Sequence, residues 1–434
     1  MNDPIFDLLS KEETRQQETL MLIPSENYVS KEVRAAVGSV LLNKYSEGYS
    51  GRRYYEGNEV IDQIETLAIT RAKELFKVPY ANVQPYSGSP ANSEILFALA
   101  QPGETIMGLS LSSGGHLTHG HPKVTFSGRY YTSVQFGLDS SARIDYDQME
   151  RLAIEHQPKV IILGTTAYPF VLDFQRARAI ADKVGAYLVA DISHIVALVI
   201  AGLHPSPVPH AHVIMSTTHK SLRGPRGAMI LVTQAGLDKE PTLGQKIDAA
   251  VIPGMQGGPH NNTTAGIAIA LEQAKTPEFL EYAQRIVTNA QALSNALQAN
   301  GISLVGNGTE NHLMVLDFSS KGTGFGVLVA KALHAAGLVT NFNSVPGDKS
   351  PFYPSGVRIG TPAMTTRGLQ PTHMQQVADW IKQVVETIAD EKMPEEKSTR
   401  AGFVSDFAMR MQSTTALATI REEVKLLLSE FPLS

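Results

Sequence analysis

The chain contains no cysteine. That excludes disulfides, thiolate metal sites and a cysteine nucleophile, and it suits a reducing compartment. An excess of either charge is also missing: Lys+Arg 37 against Asp+Glu 42 gives a formal net charge of -5 over 434 residues. So mild a balance leaves no electrostatic footprint for nucleic acid or an anionic membrane. Long hydrophobic runs are absent too; stretches such as Val196–Ala201 are far too short to span a bilayer. The opening Met1-Asn2-Asp3-Pro4-Ile5 has no basic stretch before an apolar core, so no signal peptide is expected. There is no internal repeat and no low-complexity tract. The expectation is a cytoplasmic enzyme with a large core and two domains.

Residues 1–20 are polar and helix-prone and read as an N-terminal arm. Glu59–Phe76 places Ile61, Ile64, Ala68, Ala72 and Leu75 on one helical face. Beyond it strands and helices alternate. Val160–Leu163, Ala186–Ala190, Val213–Met215 and Ala228–Val232 read as strands, and Phe174–Val184 as a helix. Continuous apolar strands of this kind predict a mainly parallel α/β sheet with ligands beyond the strands' carboxyl ends, where Asp191 and Lys220 fall. Past about residue 275 the texture changes. A long helix Pro277–Asn300, a strand His312–Phe318, a helix Phe325–Ala336, a Pro/Gly-rich loop Val345–Pro362 and helices Thr372–Asp390 and Thr415–Leu428 predict a smaller α+β domain. The expected division is 1–20, 21–275 and 276–434.

Lys220 stands in Thr217-Thr218-His219-Lys220-Ser221-Leu222-Arg223-Gly224-Pro225-Arg226-Gly227. Positive neighbours disfavour an ammonium, which suits an amine that forms Schiff bases; a surface lysine in a basic turn is the alternative. Ser87-Gly88-Ser89-Pro90 precedes an apolar helical stretch. With Ser89 as N-cap and Pro90 in first position, its open N–H groups suit a phosphate, or the segment is only a turn. Asp191 ends a strand with His194 three residues on, a pairing that suits a protonated ring nitrogen or a helix cap. Gly114-Gly115-His116-Leu117-Thr118-His119-Gly120 carries two histidines but no third ligand at useful spacing, so no metal is expected; flanking glycines would let a histidine stack on a flat ligand. Tyr45–Tyr55 is a polar, aromatic loop suited to contacts. Arg358, among small and apolar neighbours, suits a bidentate carboxylate pair or a structural ion pair.

Together these segments resemble serine hydroxymethyltransferase, over nearly the whole chain. The resemblance is strongest in Asn43–Tyr55, Gly114–Gly120, Thr217–Gly227 and Ser344–Gly368. It implies the aspartate-aminotransferase fold of pyridoxal-phosphate enzymes: a large domain with a mainly parallel seven-stranded sheet and a smaller C-terminal α+β domain. It implies pyridoxal 5'-phosphate as cofactor and tetrahydrofolate as cosubstrate. Lys220 would be the Schiff-base lysine, Asp191 the partner of the ring nitrogen, and His116 the stacking ring. Thr166 would sit near the ring hydroxyl, with His194 and His219 close to the cofactor and Arg226 behind the lysine loop. Ser87, Gly88 and Ser89 would hold the phosphate, and Ser25 and Arg358 the amino-acid carboxylate. Tyr45, Glu47, Tyr55, Gly257 and Gly258 match positions supplied by a neighbouring subunit, with Glu47 as acid/base group. Leu111, Gly115, Leu117 and Asn343 match folate contacts. A shared site implies a homodimer, or a tetramer built from it.

The chain departs from the family pattern at Pro24, Tyr86, Pro90, Ser113, Phe170, Ser193, Val196, Ala197 and Phe342. None removes a bond-making group. The expected activity is interconversion of L-serine and glycine. The alternatives are an α-methylserine hydroxymethyltransferase, a folate-independent aldolase for β-hydroxy amino acids, and a non-catalytic cofactor-binding protein.

Overall fold

Strands that are buried along their whole length organise the larger part of the chain. The computed structural model describes residues 3–348 and 352–433. The first two residues of the expected arm, stretch 349–351 of the Pro/Gly-rich loop and the last residue lie outside the described residues. Two compact units emerge: residues 29–284, and residues 1–28 together with 285–434.

The unit of residues 29–284 is built on seven strands: β1 (Tyr80–Asn82), β2 (Thr105–Leu109), β3 (Thr132–Phe136), β4 (Val160–Gly164), β5 (Tyr187–Asp191), β6 (Val213–Thr217) and β7 (Ala228–Val232). They lie in the order β1-β7-β6-β5-β4-β2-β3. Every residue of β4, β5, β6 and β7 is buried. Helices on both faces demand this, and it is why these strands read as unbroken apolar runs. The pairs from β6 through β3 are parallel, while β7 runs antiparallel to both β6 and β1. The β6–β7 connection is therefore a hairpin, with Thr217 opposite Ala228 and Lys220 inside its loop. The helix Glu59–Phe76 forms as its spacing predicts, burying Ile61, Ala68 and Ala72.

The other unit carries a three-stranded antiparallel sheet of β8 (Leu313–Asp317), β9 (Asn341–Asn343) and β10 (Gly356–Gly360), in the order β8-β10-β9. Its core gathers Leu20, Leu22, Phe325, Trp380 and Phe407. The N-terminal segment is structured: Asp3 caps the helix Pro4–Glu18, and Leu20–Met21 then pairs in parallel with Leu338–Val339. The buried Arg367 guanidinium ties the end of that helix down by donating to the carbonyls of Gln16, Gln17, Leu428 and Phe431.

Candidate active site

Asp191 is the last residue of β5 and is buried. Its Oδ1 accepts the Ser193 N–H at 3.1 Å, and its Oδ2 accepts Asn92 Nδ2 at 3.1 Å and His119 Nε2 at 2.9 Å. Burial opposes the charge, but the hydrogen bonds from His119 and Ser193 outweigh it and hold the carboxyl well below its usual range. Asp191 is thus a fixed anion at a strand end. The His119 Nδ1 accepts the backbone N–H of His116 at 3.3 Å, so Nε2 carries the proton directed at Asp191. His116 joins the same network: its Nδ1 lies 2.7 Å from Thr118 Oγ1, which also accepts Asn92 Nδ2 at 2.9 Å. One amide therefore braces both the carboxylate and the His116 ring.

His119, Asn92 and Thr118 belong to this network, although sequence reasoning assigned none of them a role beside Asp191. Two strand glycines carry the missed signal. A Cβ on Gly108 would lie 2.3 Å from the His119 carbonyl oxygen, and one on Gly164 would lie 2.6 Å from Asp191 Cβ and 3.1 Å from His119 Cε1. Glycine inside a strand often marks such close approach. The glycines before His116 also serve the chain: Gly114 has φ +92°, and a Cβ on Gly115 would meet the Leu109 carbonyl oxygen at 2.0 Å. Thr166 seals this turn, its N–H donating to the Gly114 carbonyl at 2.7 Å and its hydroxyl to the Gly115 carbonyl at 3.1 Å. Leu111 and Leu117, partly exposed, lie on the same stretch after β2.

The helix Gly88–Leu99 begins two residues earlier than the sequence suggests. Ser87 is its N-cap, in an extended conformation, and Pro90 falls in the third helical position instead of the first. Pro90 still lies within the first turn, where its missing N–H breaks no intrahelical bond. Ser87 makes no side-chain cap bond, so the N–H groups of Gly88 and Ser89 remain directed outward for an anion. Gly88 is required here, since a Cβ would meet Thr217 Cγ2 at 2.6 Å. Thr217 in turn accepts Lys220 Nζ at 2.8 Å, and its N–H donates to Ser193 Oγ at 3.0 Å. Phosphate turn, lysine and the Asp191 strand end are thereby in contact through Thr217 and Ser193.

The lysine loop folds back on itself. Thr218 pairs with Gly227 and Pro225, and Arg223, at φ +59°, donates its N–H to the Lys220 carbonyl. The crowding of positive charge expected around Lys220 is relieved in two places. Burial, and then Lys220 and Arg226, push the His219 imidazole down to about 3, so it is neutral. The Arg223 guanidinium lies 4.1 Å over the Tyr282 ring. His194 is buried in the turn after β5, ahead of the helix Val196–Ile200. Val196 and Ala197 are fully buried, and the Ala197 N–H donates to Ser221 Oγ at 3.3 Å.

Tyr45, Glu47, Tyr55, Gly257 and Gly258 come together as one cluster. Tyr45 donates its hydroxyl to Glu47 Oε1 at 3.1 Å and meets Tyr55 edge to face at 4.9 Å. A Cβ on Gly257 would lie 3.3 Å from Glu47 Oε1, and one on Gly258 would lie 3.4 Å from the Tyr45 ring. The loop is pinned from behind, since Asn261 holds Ser46 and the Lys44 carbonyl, and Arg53 holds the carbonyls of Ser46 and Gly48. Tyr86 stacks on His260 at 4.1 Å and donates to the Gly258 carbonyl at 2.7 Å. The cluster thus reaches the residue before Ser87.

In the unit of residues 1–28 and 285–434, Arg358 lies on β10 and donates through Nη2 to Ser25 Oγ at 3.4 Å. Burial lowers its pKa to about 10 while Glu26 pulls the other way, so it stays a cation. Pro24 packs on Gly360 of the same strand. Asn343 ends β9, with Phe342 exposed beside it.

The site residues fit pyridoxal phosphate on their own chemistry. A permanent anion suits a protonated ring nitrogen, an open helix start suits a phosphate, and a lysine lies within reach of both.

Comparison with known proteins gives a consistent result. The family model for serine hydroxymethyltransferase matches residues 1–381. The serine hydroxymethyltransferase of Acidothermus cellulolyticus is 55% identical over 390 residues, 89% of each chain. That of Sorangium cellulosum is 54% identical over 392 residues, 90% of each chain. That of Desulfotalea psychrophila is 48% identical over 432 residues, 99% of this chain and 94% of its own.

Proposed function

The chain belongs to the serine hydroxymethyltransferase family, and from that premise we propose how its residues divide the reaction. It is a pyridoxal-phosphate-dependent transferase that interconverts L-serine and glycine, with tetrahydrofolate as the one-carbon acceptor. The bound cofactor supplies an electron sink for the Cα–Cβ bond that breaks and forms.

Lys220 would hold the cofactor covalently through its Nζ. Asp191 holds a proton on the ring nitrogen; the observation that carries this role is its three-donor anchorage by His119, Asn92 and Ser193. His116 would contact the cofactor ring, and Asn92 and Thr118 set its orientation. Thr166 and His194 line the cofactor site, His219 serves its phosphate side as a neutral ring, and Arg226 supports the lysine loop. Ser87, Gly88 and Ser89 bind the phosphate. Ser25 and Arg358 would bind the amino-acid carboxylate, which orients the substrate's Cα bonds for reaction. Glu47 moves the proton of the substrate hydroxyl, with Tyr55 beside it. Leu111, Gly115, Leu117 and Asn343 contact folate.

We further propose that Tyr45, Glu47, Tyr55, Gly257 and Gly258 complete the site of a second copy, making the protein at least a homodimer. The exposure of Tyr45, Tyr54, Tyr55, Phe97 and Met255 supports such a face. Among the described residues no helix is long and apolar enough to cross a membrane, which accords with a cytoplasmic place.

The test compares turnover of L-serine, α-methylserine and allo-threonine, with and without tetrahydrofolate, in the parent and in Lys220→Ala. Folate-dependent L-serine cleavage should dominate, and the cofactor's visible absorbance band should vanish in the variant. An unchanged band in Lys220→Ala would remove the lysine from its role.

A further inference from the structure

Arg358 sits on β10 directly opposite Asn341 of β9. Its Nε donates to Asn341 Oδ1 at 3.0 Å. The other end of that amide is committed, because Asn341 Nδ2 donates to the Phe342 carbonyl at 2.9 Å. The oxygen of Asn341, and not its nitrogen, therefore faces the guanidinium. Its Nη2 reaches Ser25 Oγ at 3.4 Å.

A guanidinium can receive a carboxylate on its Nη1/Nη2 edge or on its Nε/Nη edge. The Asn341 oxygen occupies Nε and blocks the second mode. It is also uncharged. An aspartate in its place would form a complete ion pair with Arg358 and compete with any incoming carboxylate. Asparagine fixes the plane of the fork without adding a charge of its own.

We propose that Asn341 is a positioning residue for the amino-acid substrate, holding Arg358 so that its Nη edge receives the carboxylate. This rests on the reading of Arg358 as the carboxylate site. A fixed carboxylate direction fixes rotation about the Cα bonds, so Asn341 governs affinity first and bond selection through it.

The experiment measures glycine and glycinamide binding to the holoenzyme by its absorbance change, together with KM and kcat for L-serine. The variants are Asn341→Asp, Asn341→Ala and Arg358→Lys, each checked by melting temperature. Asn341→Asp should weaken glycine binding about tenfold or more and raise the KM for L-serine in step, with kcat changed far less. It should also shrink the preference for glycine over glycinamide, because the guanidinium charge is already matched. Asn341→Ala, which removes the acceptor without adding charge, should weaken glycine binding by about threefold. If Arg358→Lys abolishes glycine binding while both Asn341 variants keep the parent's affinity and preference, the proposal is overturned and the Arg358 reading survives. If Arg358→Lys leaves glycine binding intact, the Arg358 reading itself fails. A fall in kcat with unchanged KM in Asn341→Asp also overturns the proposal.

Discussion

Two buried carboxyls in the same unit behave in opposite ways because their surroundings differ. Asp191 is surrounded by donors and stays charged. Glu94, on the helix Gly88–Leu99, is also buried, yet neither of its carboxylate oxygens has a hydrogen-bond partner. Burial pushes its pKa up to about 8 from 4.5. The folded protein thus keeps a proton that the unfolded chain releases, so Glu94's contribution to stability is present at acid pH and lost as pH rises from 4.5 through about 8. Glu94→Gln should remove that slope. Its melting temperature should exceed the parent's at pH 9 by an amount equivalent to about 1–3 kcal/mol, and should not exceed it at pH 5. At this scale the sequence was informative about groups that announce their chemistry, such as Lys220, Asp191 and Arg358. It was silent on Asn92 and Thr118, because an amide and a hydroxyl acquire a role only when folding aims them at Asp191 and His116.

Among the elements, long periodic segments were the readable ones. Glu59–Phe76 repeats its apolar residues at helical spacing, and β4 to β7 are apolar except for Asp191 at the end of β5 and Ser216 and Thr217 at the end of β6. The strands β1, β2 and β3 escaped notice. β1 is three residues long, and β3 keeps its first four residues partly or fully exposed, so neither repeats long enough to mark a strand. The helix Arg400–Gln412 also went unread, since it buries only Phe407 and Met411. Close contacts between elements were encoded by glycines. Gly164 ends β4 where Asp191 and His119 press on it, so Gly164→Ala should misplace both. We expect a loss of about 1–3 kcal/mol in thermal unfolding and weaker pyridoxal-phosphate affinity on titration of the apoprotein. A Gly185→Ala control, where nothing lies within 4 Å of the added atom but φ is +68°, should lose stability without losing cofactor affinity.

On the scale of the whole molecule, the N-terminal segment belongs with the C-terminal residues. Leu20 and Leu22 lie in the core of Phe325, Trp380 and Phe407, and the Gly360 N–H donates to the Leu22 carbonyl at 2.8 Å. The sequence presented this segment as an arm because the helix Pro4–Glu18 buries nothing. The apolar residues that anchor it come only afterwards. Leu22→Ala should destabilise this unit by about 2–5 kcal/mol and open residues 285–434 to limited proteolysis. The shared-site reading is tested at the same scale. Mixing Lys220→Ala chains with Glu47→Gln chains, each inactive alone, should restore about a quarter of the parent's activity once subunits exchange, because one site in each mixed dimer is intact. Unshared sites would restore none.

The antiparallel placement of β7 also has a consequence in time. The turn holding Lys220 is closed by a connection of residues 218–227, whereas β4 and β5, or β5 and β6, must wait for crossovers of about twice that length or more. Ring-closure entropy therefore favours the lysine hairpin over its parallel neighbours during collapse. The reactive amine sits on the part of the sheet that can assemble locally, and the anion opposite it arrives with the slower, long-range part.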